Sequence, residues 1–181
     1  FAHSDVFMTG AWIAFVAASA MGFAEANQAA PFWAFMLVLL LAMAFCGLLG
    51  FTIERFAYRP LRGAPRLNVL ITAIGVSLLL QNVGQLKIAF GTQPQRMPEL
   101  ISDAPLFTLA DVQFRVVDLL VVVLALALMG VLQYIVFNTK LGRAMRAVSF
   151  DMRTASLMGI AVDRIVSFTF VMGSALAAAA G

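Results

Sequence analysis

The residues able to do chemistry are few, and their spacing does not favour catalysis. The 181-residue chain has one histidine, His3, one cysteine, Cys46, nine carboxylates and twelve lysines or arginines. A metal centre needs several His, Cys, Asp or Glu side chains converging on one point, and a single histidine argues against one. Lys87 and Lys140 follow Leu86 and Thr139, so there is no Gly-Lys-Ser/Thr loop to cradle a nucleotide's phosphates. No catalytic residue, metal ligand or bound cofactor is therefore assigned. Positive charge is what the sequence concentrates. The stretch 139–164, TKLGRAMRAVSFDMRTASLMGIAVDR, holds Lys140, Arg143, Arg146, Arg153 and Arg164 against Asp151 and Asp163. Such an island can meet anionic lipid or dock on a partner.

The elements that position this island are apolar. The chain is 62% hydrophobic and 12% charged, with mean hydropathy +0.96, whereas soluble domains are nearer half apolar and a quarter charged. A bilayer core takes about 20 apolar residues as helix, and backbone groups in lipid must pair internally. The expected fold is thus all-α, a polytopic bundle of about five spans near 6–24, 32–53, 67–87, 117–138 and 165–181. The chain reads as part of a single transmembrane domain, cut from a longer protein, and the bilayer is its first partner.

Loop charge gives the orientation. Residues 54–66 hold Arg55, Arg59, Arg62 and Arg66 against Glu54, and 139–164 is also basic, whereas 24–31 and the outer loop 91–115 are acidic on balance. Basic loops stay cytoplasmic. The two basic clusters flank apolar runs, which favours membrane orientation over nucleic-acid binding.

Within the spans, Gly10, Ala14, Ala18 and Gly22 recur at four-residue spacing, as do Gly173, Ala177 and Gly181. Small residues on one helix face let another helix approach. Pro31 suits the first turn of the second span, while Pro60 and Pro65 are expected to stop that helix, with Tyr58 at the interface. Thr72, Ser77, Gln81 and Asn82 could line a solute path or bond neighbouring helices. His3 and Asp5, beside the first span, either shape the path or mark an interface. No Asp or Glu is expected at mid-span. The fourth span is the most uniformly apolar and is expected to face lipid. Cys46 reads as a small apolar filler, and Val112–Val116 as a short extended stretch.

In the hairpin, Asn138 and Thr139 can cap or break the fourth span, and Gly142 offers a joint. Asp151 is a plausible N-cap for a short helix MRTASLM, which Gly159 would end. Ala155 and Gly159 would give a smooth patch for a protruding partner, ringed by Arg143, Arg146 and Arg153.

Several segments, in order, resemble the permeases of high-affinity branched-chain amino acid ABC importers. Phe1-Ala2-His3-Ser4-Asp5-Val6, with Met8 and Gly10-Ala11, resembles that family's N-F-A-H-G-D-x-x-M-x-G-A, with Ser4 where Gly is usual. Glu54-Arg55 with Tyr58-Arg59-Pro60-Leu61-Arg62 resembles E-R-x-x-Y-R-P-L-R. Leu141-Gly142-Arg143-Ala144-Met145-Arg146-Ala147 resembles L-G-R-A-x-R-A. Ala155 with Met158-Gly159-Ile160 resembles A-x-x-M-G-I, and Gly173-Ser174-Ala175-Leu176-Ala177 resembles G-S-A-L-A.

The resemblance covers essentially the whole chain and implies a bacterial cytoplasmic (inner) membrane protein. It implies that Arg143, Arg146, Arg153, Ala155, Met158 and Gly159 form the element coupled to ABC ATPase subunits, with Ala155-Ser156-Leu157-Met158-Gly159 matching an Ala-x-x-x-Gly core. Arg153 stands where the broader importer motif has Glu. The implied partners are those ATPases, a second homologous permease, and a periplasmic or extracellular solute-binding protein. ATP would be used by the partners, and the solute would be a branched-chain or related amino acid. A same-family permease for urea, an amide or another small polar solute is the alternative. An ion-coupled secondary transporter would want mid-span carboxylates.

Overall fold

Nearly every long apolar run in the sequence winds into helix, as backbone groups removed from water require. The computed structural model of the chain describes residues 2–22, 32–61, 63–86, 105–109 and 112–181. The order is α1 (Ala2–Ala20), α2 (Phe32–Ile53), α3 (Arg66–Gln85), β1 (Pro105–Leu109), β2 (Val112–Arg115), α4 (Val116–Asn138), α5 (Lys140–Phe150), α6 (Met152–Leu157) and α7 (Val162–Ala180). Among the described residues, four helices are long and apolar enough to cross a membrane: Phe32–Leu61, Leu67–Gln85, Val116–Asn138 and Val162–Ala180. Ser4–Ala20 is a shorter apolar helix. The chain is a helical bundle with one small antiparallel hairpin, β1 against β2. Pro31, residues 91–104 of the outer loop and the side chain of His3 lie outside what is described.

The bundle is tied together where side chains are smallest. Gly50 of α2 meets Ser174 of α7, where an added Cβ would collide with the Ser174 hydroxyl and lie 2.6 Å from its Cβ. Gly47 packs on Val171 one turn earlier. On the other side of α7, a Cβ on Gly10 of α1 would be 2.7 Å from the Ala178 Cα. Val6, Ala42, Cys46 and Ala178 form the buried centre, with Ala14 and Ala177 packed against it. Without a solvent-driven hydrophobic effect between lipid-embedded helices, such backbone proximity is what dispersion forces need.

Two small-residue expectations change here. Gly22 is not on the packing face of α1. It lies past the helix end, in a turn with φ +84, and no described residue stands within 4 Å of its Cβ position. Ala18, four residues earlier, is fully buried. On α7 the tightest contacts run through Ser174 and Ala178 rather than Gly173, which is half-buried, while Gly181 approaches the Phe7 carbonyl.

The second span does not stop at Ile53. Helical winding continues as a π turn, Glu54–Tyr58, and a 3-10 turn, Arg59–Leu61, so much of the expected loop 54–66 is helix. Pro60 sits inside that winding rather than ending it. In α geometry the Pro60 ring would press on the carbonyl four residues back. The wide turn followed by a tight one takes the ladder out of that register. Pro65 stands just ahead of α3, at its N-cap. No residue of α4 is buried among those described.

Candidate functional site

The hairpin between α4 and α7 is more structured than its sequence suggested. Thr139 ends α4 and starts α5, its hydroxyl accepting the Gly142 N–H at 3.1 Å. Gly142 is not a flexible joint. It lies in the first turn of α5, pressed so closely on α4 that a Cβ would collide with the carbonyl oxygens of Ile135 and Val136. Arg146 closes the same corner: its guanidinium donates to the Val136 carbonyl at 2.7 Å and lies 5.1 Å from the Phe137 ring centre. Arg146 thus clasps α5 to α4.

A chain reversal at Asp151 then starts α6. The Asp151 carboxylate accepts from the Arg153 N–H at 2.8 Å and the Thr154 hydroxyl at 2.7 Å. The Thr154 hydrogen bond, then those from backbone amides, hold this carboxyl below its ordinary value of 3.8. A lowered carboxyl stabilises the fold fully above its unfolded pKa. Its contribution is complete at neutral pH and is lost only as pH falls through values below about 3.8.

At the far end, Gly159 donates to the Ser156 carbonyl and Ile160 to that of Ala155, closing α6 with Gly159 at φ +82. This double bond with a left-handed residue is a Schellman stop. Gly159→Ala places a Cβ in the left-handed region at a cost of about 1–2 kcal/mol, so amide exchange in α6 is expected to quicken roughly five- to thirtyfold. Unchanged protection would show that Gly159's backbone does not terminate the helix.

Ala155 is not the smooth surface patch expected. It is 4% exposed, packed with Val148 and Ile165 in a small core that fixes α6 onto α5 and α7. The surface the hairpin offers is made of knobs instead. Phe150, Leu157 and Met158 are 95%, 89% and 79% exposed, with Met152 beside them. Arg143 and Arg153 are exposed around them. Only the spacing of Ala144, Met145 and Val148 hinted that α5 was a helix with one buried stripe.

The second site lies within the bundle. Asp5 is buried, accepting from the Ser77 hydroxyl and, at 2.9 Å, from the Gln81 amide. Its neighbour Val6 packs on Cys46, whose thiol points to the Val6 carbonyl. Cys46 is 14 residues from Phe32 and 15 from Leu61, about 21 and 22 Å along that winding. A carboxylate therefore does sit near mid-span, contrary to the sequence reading. A charge-free run on one helix does not fix its depth against a neighbour, and here Val6, next to Asp5, packs at Cys46 of α2. Asp5, Ser77 and Gln81 come together. Thr72 and Asn82 do not: each bonds to its own helix, at the Asn68 and Leu78 carbonyls.

Sequence reasoning also missed Glu54. It is fully buried at the π turn and accepts from the Ser167 hydroxyl of α7. The signal was a lone acid among arginines directly after a long apolar run. Beside it, Arg59 pairs with Asp163 at 2.7 Å, joining the end of the α2 winding to the start of α7. Among the described residues, no group of three His, Cys, Asp or Glu could hold a metal ion.

The family model for the branched-chain amino acid transport system permease component matches residues 1–181. A high-affinity branched-chain amino acid transport system permease protein of Pseudomonas aeruginosa, BraD, is 36% identical over 185 residues, covering 99% of this chain and 58% of that protein. The corresponding LivH proteins of Escherichia coli strain K12 and Salmonella typhimurium are each 35% identical over 194 residues, covering all of this chain and 58% of theirs. The chain thus spans 58% of the length of these curated relatives. No solved structure matches it.

Proposed function

The chain belongs to the permease-component family of branched-chain amino acid transport systems, and from that premise we propose that it forms part of an ABC importer permease for branched-chain or related amino acids. It is a multi-pass membrane protein; the proposed membrane is the bacterial cytoplasmic one, with the α5–α6 hairpin inside. Residues 1–181 contribute to one transmembrane domain. The chain binds no cofactor and hydrolyses nothing; ATP is used by partner ATPases. A second permease and a solute-binding protein complete the assembly.

The observation that carries this reading is the hairpin. It is a compact unit braced at both ends, by Arg146 onto α4 and by Ala155 onto α7. Force applied to its exposed knobs passes directly to two spans. ATP-driven closure of the partners would then shift those spans as rigid bodies and switch access. With Asp5 near mid-span, carboxylate position no longer separates this reading from an ion-coupled transporter. Family membership favours the ATP-driven one.

Reconstitution tests it. The full-length permease, with its ATPases, second permease and binding protein, should accumulate leucine in proteoliposomes only with ATP. Uptake that follows an ion gradient without ATP, or that urea abolishes by competition, would contradict it. Asp5→Asn is expected to lower leucine uptake about tenfold while the assembly stays intact, on the proposal that the Asp5–Ser77–Gln81 cluster shapes the path. Unchanged uptake would make the cluster a packing bond only.

A further inference from the structure

A cleft of about 820 Å³ opens between the end of the α2 winding and the start of α7. Arg55, Arg59 and Arg164 line it, together with Asp163, Ser156 and Ser167. Asp163 is paired with Arg59, and Arg55 and Arg164 form no salt bridge among the described residues. The cleft is therefore net positive and suits a phosphate, which arginine binds through paired N–H donors.

The cleft does not end at the helix termini. Phe51 and Val171 line both it and a second groove of about 540 Å³, bounded by Leu40, Met43, Ala44, Gly47, Leu48 and Ala175. That groove follows α2 and α7 toward the middle of the bundle. It is almost wholly apolar, and exposed Ala44 lines it among larger side chains. A guanidinium cluster at a span's basic end, continuous with an apolar channel along the span, matches a molecule with an anionic head and a hydrocarbon tail. We propose that this composite site binds one anionic phospholipid, its phosphate held by Arg55 and Arg164 and an acyl chain lying across Ala44. Basic pockets between spans on the cytoplasmic side are suited to such headgroups. An ATPase surface could meet the arginines but not the groove, which lies at bilayer depth. The site touches Ser156 of the hairpin, so its occupant would brace α2, α6 and α7 together. The inference rests on the membrane placement proposed above.

Native mass spectrometry on the assembled transporter tests it, with phosphatidylglycerol and phosphatidylcholine as competing probes. Phosphatidylglycerol is expected to be retained at least tenfold over phosphatidylcholine. Arg55→Gln with Arg164→Gln should remove that preference. Ala44→Trp, which fills the groove from an exposed position, should lower retention about tenfold with both arginines present. Equal retention of the two lipids would overturn the proposal. So would displacement by an equal concentration of inorganic phosphate, which would indicate a free-anion site. Loss of the ATPases from the arginine variants with lipid retention unchanged would assign the cleft to protein docking instead. Leucine uptake by the same preparation reports permease function separately, so the two readings can fail independently.

Discussion

Gly50→Leu is expected to yield no stably folded permease, and Gly50→Ala to lower stability by about 1–3 kcal/mol. The reason is the seam between α2 and α7, the most extensive helix pairing in the bundle. A Cβ at Gly50 meets the Ser174 hydroxyl head-on and lies 3.1 Å from the Phe170 carbonyl. The Ser174 hydroxyl can rotate, but its Cβ, 2.6 Å away, is fixed to the backbone, so the helices must separate. Separation would also strip the Glu54–Ser167 bond one turn away. Two controls make the expectation specific. Gly130→Ala and Gly75→Ala meet nothing within 4 Å among the described residues and should be neutral or slightly stabilising, as alanine is the better helix former. Ser174→Gly removes both side-chain atoms in the way and should restore much of the Gly50→Ala loss. The readout is thermal unfolding in detergent. Equal melting of Gly50→Ala and Gly130→Ala would show that the seam is looser than described.

Leu157→Asp combined with Met158→Asp is expected to weaken ATPase association by about a thousandfold or more and to abolish uptake, with membrane insertion unchanged. Buried anchors at the centre of an interface are worth about 2–4 kcal/mol each on truncation, and a charge in their place adds a desolvation penalty. Both side chains project from the hairpin, exposed at 89% and 79%, so their replacement disturbs no internal contact. Ala155→Leu should act differently. It overfills the small core with Val148 and Ile165 and loosens the hairpin itself, seen as faster amide exchange in α5 and α6. If the double aspartate variant purifies with its ATPases at wild-type yield, the knobs are not the contact.

How far the sequence revealed this arrangement depended on which signals are local. Helix content, the Asp151 cap and the Gly159 stop all follow from neighbouring residues, and each was readable. Tertiary choices were not. Ala155 looked like a landing patch because a small residue on a short helix fits either a partner's knob or its own core. Val148 and Ile165, distant in sequence, decide for the core. Gly142 reads as freedom until α4 is placed against it, when it becomes close approach. Asp5 shows the limit most plainly. Its depth depends on how α1 packs against α2, Val6 meeting Cys46, which no count of uncharged residues contains. Glu54 lay hidden for a similar reason: the π turn that rotates it inward follows from how the winding passes Pro60.

The central claim is that the α5–α6 hairpin meets a nucleotide-hydrolysing partner on the cytoplasmic side. A single cysteine tests it most directly. This chain's own thiol, Cys46, is buried, so Met158→Cys introduces a distinct accessible one. In the assembled full-length transporter that thiol should react with a membrane-impermeant reagent only in inside-out vesicles. A short bifunctional reagent should cross-link it to the ATPase subunit. Labelling from the outer face of intact cells, or an accessible thiol that never captures the ATPase, would contradict the account.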